Sequence, residues 1–216
     1  MKISILFLSS LLATLCIAEE SFVLFDFENV KEGALPPGIE VLNGADDAGS
    51  VTIVSSKEVG SQSLQLIGDM LGSDGRGYRS MAAIKLSKQF NPAQYERFQA
   101  ALASVNKVWR IQFDLWIDTS SMAFFKFEFG LNSASSGYQK AGGASFLSMK
   151  EKDLKALGSG VQYLGQMRIL SSDFARPILS GDAFYNFTFK QNSKTGILPT
   201  FYIDNIKVFY TQNQSM

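Results

Sequence analysis

The residue pattern of this chain predicts an all-β fold, a two-sheet antiparallel β-sandwich with one or two short helices. Three observations carry that expectation. Phe22-Val-Leu-Phe-Asp-Phe-Glu28 near the start alternates aromatic or β-branched residues with others at period two. Phe201-Tyr-Ile-Asp-Asn-Ile-Lys-Val-Phe-Tyr210 does the same near the finish. Between them run short alternating segments separated by turn residues, with no strand–helix–strand rhythm. A chain that opens and closes on such strands is expected to pair its two ends in one sheet.

The elements follow in order. Lys31-Glu-Gly-Ala-Leu-Pro-Pro-Gly38 is a turn-rich loop. Strands are expected at Ile39–Leu42, Val51–Ser55 and Ser63–Ile67, the last two joined by a turn at Lys57–Gln62. Gly68 to Gly77 is glycine-rich and reads as a surface loop, after which Tyr78–Leu86 returns to strand. Asn91 can cap a helix whose first position Pro92 fits. Tyr95, Phe98, Leu102 and Val105 give that helix one apolar stripe, expected to pack across an end of the sandwich.

The strongest alternation spans Val108–Asp118. Trp109, Ile111, Phe113, Leu115 and Ile117 share one face, and Arg110, Gln112, Asp114, Trp116 and Asp118 the other. Phe125, Phe127 and Phe129 alternate with Lys126, Glu128 and Gly130, and their rings, like Trp109, are expected in the core. A small-residue loop follows from Ser133 to Gly143. Ser148 and Glu151 have capping-box spacing for a short helix ending at Gly158. The last strands are Val161–Leu170, Phe184–Gln191 and Thr200–Tyr210, about ten in all at this turn spacing. No repeat or linker divides residues 19–216, which are expected to form a single domain.

Residues 1–18 read as a secretory signal peptide. Lys2 supplies the charge, Ile3 to Leu15 the apolar stretch, and Cys16 and Ala18 the small residues before a cut at Glu19. The localisation implied is secreted or cell surface. No later stretch is apolar for the ~20 residues a membrane helix needs. The one cysteine leaves with the leader, so stability must come from the core, with or without a bound ion. Twenty basic and twenty acidic residues give no net charge and argue against a nucleic-acid partner. Histidine is absent. That removes Ser-His-Asp and Cys-His chemistry and the usual zinc sites. Asn186-Phe-Thr188 and Asn213-Gln-Ser215 match the N-glycosylation pattern.

Three segments together resemble a known group. Phe25-Asp-Phe-Glu28, then Gly60-Ser-Gln-Ser-Leu-Gln-Leu66, then Tyr202-Ile-Asp-Asn-Ile-Lys-Val208 are similar to motifs of secreted carbohydrate-binding modules. The likeness is to the galactose-binding-like jelly roll found on xylanases and cellulases. The motifs bracket residues 22 to 208, with the middle unmatched. The resemblance implies a structural calcium, held by Glu28 and Asp204 with backbone oxygens around Gly60 and Gln62. Calcium takes six to eight oxygen ligands, which suits that set. It also implies a polysaccharide or glycan partner.

The residues offer a matching surface. Arg110, Gln112, Asp114 and Trp116 put planar polar groups beside one flat apolar ring, which is what a sugar needs. Lys126 and Glu128 are expected to extend this face from a neighbouring strand. Gln166 and Arg168, and Asn186, Thr188 and Lys190, alternate the same way. The expected function is therefore non-catalytic glycan binding. Two alternatives stay open: a secreted structural or adhesive protein, or a jelly-roll polysaccharide lyase or glycosidase. For the latter, Asp114 and Glu128 would have to face one another, about 5–5.5 Å apart in a retaining enzyme.

Overall fold

The computed structural model describes residues 19–41, 50–67, 69–70, 78–85, 91–102, 109–121, 125–133, 144–170, 183–191 and 200–211. For β5, β6, β8 and β11 it describes the backbone. The proposed leader, residues 1–18, lies outside the described residues, as do Val105 and the loops 71–77 and 134–143.

The chain forms an antiparallel β-sandwich. In order the elements are β1 (Glu19–Phe25), β2 (Ile39–Val41), β3 (Ser50–Ser56), β4 (Ser61–Ile67), β5 (Asp69–Met70), β6 (Tyr78–Lys85) and α1 (Pro92–Leu102). There follow β7 (Trp109–Asp118), β8 (Phe125–Ser133), β9 (Ala144–Met149), α2 (Glu151–Leu157), β10 (Val161–Leu170), β11 (Ala183–Gln191) and β12 (Thr200–Thr211). The first sheet runs β10-β7-β12-β4-β3, and β1 also pairs with β12. The second runs β2-β6-β11-β8-β9, with β5 on β6.

The ends of the described domain do zip together. Glu19 pairs with Thr211 and Phe22 with Val208 in an antiparallel ladder. β12 is the hub, bonded to β7 on one side and to β4 and β1 on the other. Alternation then fixes what is buried. Ile111, Phe113, Leu115 and Ile117 of β7 are fully buried, as are Ile203 and Val208 of β12 and Leu64 and Leu66 of β4. Each such side chain contributes about 1.5–3 kcal/mol relative to exposure.

Several boundaries differ from those the pattern implies. β1 stops at Phe25 because Phe27 turns into the left-handed region at φ 59 and its carbonyl accepts from the Val30 N–H. The ring of Phe27 is buried and stacks on Phe25 at 5.2 Å. β9 occupies a stretch the pattern left unassigned, so Ser148 is strand and not a cap. The box at α2 is built two residues later, with the Lys150 N–H donating to the Asp153 carboxylate at 3.1 Å. Gly158, at φ 93, does end the helix.

The first helix begins as expected, capped by Asn91 with Pro92 at its first position. Asn91 accepts from the Gln94 N–H at 2.9 Å, and Gln94 accepts from the Asn91 N–H. Phe98 is fully buried against Tyr210, with ring centroids 5.9 Å apart, and Arg97 pairs with Glu20 at 3.0 Å. Burial, and after it Glu20, push the Tyr210 hydroxyl up to about 12. The helix is thus riveted to the paired terminal strands. The side chains of Trp109, Phe125, Phe127, Phe129 and Leu102 lie outside the described residues.

Candidate functional site

The candidate site is the outer face of the first sheet. β7 turns its apolar residues inward, so Arg110, Gln112, Asp114 and Trp116 stand on the opposite face. Register extends this face across three strands. Trp116 pairs with Tyr163 of β10 and with Tyr202 of β12, making an aromatic row. Asp114 pairs with Gln166 and Asp204, and Gln112 with Arg168 and Lys207. Arg110 stands opposite Phe209.

The aromatic row is graded in exposure. Tyr202 is 9% exposed, Trp116 is half-buried, and Tyr163 is 54% exposed. The Trp116 and Tyr163 rings lie 4.9 Å apart and tilt by 43°, a shallow aromatic wedge. The Tyr163 hydroxyl donates to Asp114 at 2.9 Å, and Asn205 Nδ2 donates to the other Asp114 oxygen at 3.0 Å. Desolvation and the hydrogen bond to Asp114 raise the Tyr163 hydroxyl above its ordinary value.

Tyr163 reaches this row because β10 carries a bulge between Tyr163 and Gly165, with Gly165 at φ 101. The extra residue restores Gln166 and Arg168 to the same face as Tyr163. Strict alternation would place them opposite. β12 has a matching irregularity between Asp204 and Lys207, where Asn205 adopts φ 52. Asparagine tolerates that region better than most residues do.

Four of the predicted binding residues therefore share one face, although two are engaged within the protein. Asp114 is held by Tyr163 and Asn205. Arg110 forms an ion pair with Glu19 and lies over the Phe209 ring at 3.9 Å. Lys126 and Glu128 do not extend this face. β8 belongs to the second sheet, bonded to β11 and β9, so it is no neighbour of β7. The chain leaves β7 through a short 3-10 turn, Thr119–Ser121, and crosses between sheets instead of making a hairpin. This also removes the facing of Asp114 and Glu128 across adjacent strands.

The predicted metal residues lie beside the middle of β12, where β1 ends and β4 begins. The Gln62 N–H donates to Glu28 at 3.3 Å. Asp204, 2% exposed, accepts from the Ser61 hydroxyl at 2.8 Å and from the Asn205 N–H at 2.7 Å. Its carboxyl is pushed up to about 6, first by desolvation, with Glu28 and Asp114 adding to the rise. Ser63, one step past the last ladder pair Ile203–Leu64, is fully buried and its hydroxyl has no partner among the described residues. Gly60 makes the turn into β4 at φ 83, and its N–H donates to the Ser56 carbonyl. The Gln62 side chain, oriented by its neighbours, donates to the Phe27 and Val30 carbonyls at 2.7 Å each. It ties the turn after β1 to β4. Among the described residues no group of three or more His, Cys, Asp or Glu could hold a metal. The donors present are all hard oxygens, two of them carboxylate groups within electrostatic reach, with an orphaned hydroxyl beside them. In kind that set fits calcium.

Tyr163 and Tyr202 are the site residues that sequence reasoning passed over. Tyr202 sat inside a recognised motif, and Tyr163 in a recognised strand. The available signal was Gly165, since a glycine inside a strand marks a bulge.

No protein-family model matches the chain, and no curated protein sequence matches it. Among solved structures it is similar to a CBM28 carbohydrate-binding module described as specific for non-crystalline cellulose. The TM-score is 0.54 at 14% identity, over 87% of this chain and 93% of that one. It is also similar to part of an arabinose-bound GH51 α-L-arabinofuranosidase, with a TM-score of 0.53 at 12% identity over 90% of this chain. There the chain spans 26% of the other protein's length. Likeness at these identities establishes the fold. The architecture is a two-sheet antiparallel β-sandwich similar to that of this module.

Proposed function

We propose that this protein binds a polysaccharide or other glycan, without catalysis, on the outer face of the first sheet. The observation that carries the reading is the Trp116–Tyr163 wedge, with Tyr163 54% exposed beside polar side chains. Aromatic faces so placed suit the apolar faces of sugar rings, and Gln112, Gln166 and Arg168 supply hydrogen-bonding groups around them. The near full-length match to a carbohydrate-binding module supports the reading. Asp114 is committed to Tyr163 and Asn205, and Glu128 is on the other sheet, so the carboxylate pair considered for hydrolysis has no support here. Affinity electrophoresis in gels containing soluble polysaccharides tests it. Trp116→Ala and Tyr163→Ala should each abolish retardation while circular dichroism stays near wild type. Retardation that survives both variants, or no glycan bound by the wild type, sinks the reading and favours a structural or adhesive role.

Glu28 and Asp204 are proposed as the carboxylate ligands of a structural calcium, with backbone oxygens near Gly60 and Gln62 completing the set. Calcium would neutralise a buried carboxylate that otherwise resists ionisation. A ligand specific to the folded state adds RT ln(1 + [L]/Kd), about 2.7 kcal/mol at a hundredfold excess over Kd. Identical melts with calcium and with chelator, on protein shown metal-free by elemental analysis, remove this proposal.

Export with cleavage before Glu19 is proposed from the sequence of residues 1–18. No helix among the described residues is long and apolar enough to cross a membrane. Amino-terminal sequencing of the secreted protein should read Glu19 first.

A further inference from the structure

Next to the aromatic wedge, the same face carries a row of a different kind. Arg168 of β10, Gln112 of β7 and Lys207 of β12 are register partners on adjacent strands. Their backbones span two strand spacings, about 10 Å. Arg168 is exposed and Lys207 half-buried, and neither is ion-paired among the described residues. Gln112 stands between them and is 9% exposed. Two cations with no ion pair among the described residues, flanking an amide, make a cradle for an anion.

We infer that this row is an acid clamp, and that the glycan bound here is anionic, carrying carboxylate or sulfate groups. The inference rests on the glycan reading above and names the class of glycan. Arg168 presents a planar fork that suits an oxyanion, Lys207 adds a mobile positive charge, and Gln112 donates from beneath. Gln112 and Trp116 are four residues apart on one strand, about 13 Å. A chain stacked on the wedge and running along β7 would therefore bring an acidic group over the row a few sugar units away. The local charges favour this. Arg110 lies beyond the row and is matched by Glu19, whereas Arg168 and Lys207 have no ion pair among the described residues. Asp114, between the row and the wedge, has both oxygens turned to Tyr163 and Asn205.

The test measures Kd by titration calorimetry for four probes: polygalacturonate, its fully methyl-esterified form, dextran sulfate, and neutral mixed-linkage glucan. The proteins are wild type, Arg168→Gln with Lys207→Gln, Gln112→Ala and Trp116→Ala. Wild type should bind an acidic probe at least tenfold tighter than the esterified or neutral probes, and the advantage should shrink as salt rises. The double variant should lose that advantage and keep whatever neutral affinity exists. Preference for polygalacturonate or for dextran sulfate identifies the anion as carboxylate or sulfate. Neutral binding that requires Trp116, with no acidic preference and no effect of the double variant, overturns the clamp and leaves the glycan reading standing. Binding of no probe by any protein overturns both. An acidic preference untouched by the double variant places the anion elsewhere and overturns the clamp alone.

Discussion

Asp204 shows how one residue's surroundings set its chemistry. It is a carboxylate in the hub strand, 2% exposed, held by Ser61 and Asn205. Those hydrogen bonds favour ionisation, but desolvation outweighs them, and Glu28 and Asp114 push the same way. The folded protein therefore binds this proton more tightly than the unfolded chain does. Asp204's stabilising contribution is complete below the ordinary carboxyl value and is lost as pH rises through about 6. Chelated protein should accordingly melt at higher temperature at pH 5 than at pH 7.5. Asp204→Asn should flatten that difference, and calcium should restore stability at pH 7.5 to the wild type alone. Tyr163 offers a second test. Tyr163→Phe removes one hydrogen bond to a carboxylate at the surface, worth about 1 kcal/mol. The melt should fall by roughly 2–4 °C in a domain of this size. Glycan retention should weaken without vanishing, because the ring stays.

At the scale of elements, two irregularities build the site. The bulge at Gly165 and the left-handed Asn205 both break a ladder, and each leaves its strand's polar residues on the binding face. Gly165 is at φ 101, where a side chain is strained by about 1–3 kcal/mol. Gly165→Ala should therefore lower the melt and weaken glycan retention together, since relief of strain would move Tyr163. Asn91→Ala removes the cap of α1 at a cost of about 1 kcal/mol. It should lower the melt comparably and leave retention unchanged. Comparing the two variants by calorimetry and affinity electrophoresis separates a bulge that shapes the site from general loss of stability.

Across the whole molecule, stability converges on β12. β12 bonds to β7, β4 and β1, so the sheet cannot close until the final described segment is in place. Pairing the two ends of the domain is long-range in sequence, and such folds form slowly. Native-state hydrogen exchange should find its slowest amides in Ile111–Ile117 and Phe201–Val208, whose core-facing side chains are fully buried. Removing residues 19–25 would strip β12 of a partner and open the face of Arg110 that Glu19 covers. The shortened protein should lose cooperative melting, measured by near-ultraviolet circular dichroism.

The class of fold, the pairing of the terminal strands, the cap at Asn91 and the helix stop at Gly158 were all legible in the residues. Each depends on local periodicity or local turn chemistry, which neighbouring residues determine among themselves. The shared face of Arg110, Gln112, Asp114 and Trp116 was legible for the same reason. β9 was missed because its short run lies between a small-residue loop and a helix whose spacing suggested a cap at Ser148. Which strands stand beside β7 was not legible. Lys126 and Glu128 follow it in sequence yet lie in the other sheet, while Tyr163, Arg168, Tyr202 and Lys207 come from far along the chain. Alternation says which way a side chain points, and only the pairing of distant strands says what stands next to it. That pairing is decided by burial summed over the whole sandwich, so the aromatic wedge and the cationic row belong to the tertiary structure alone.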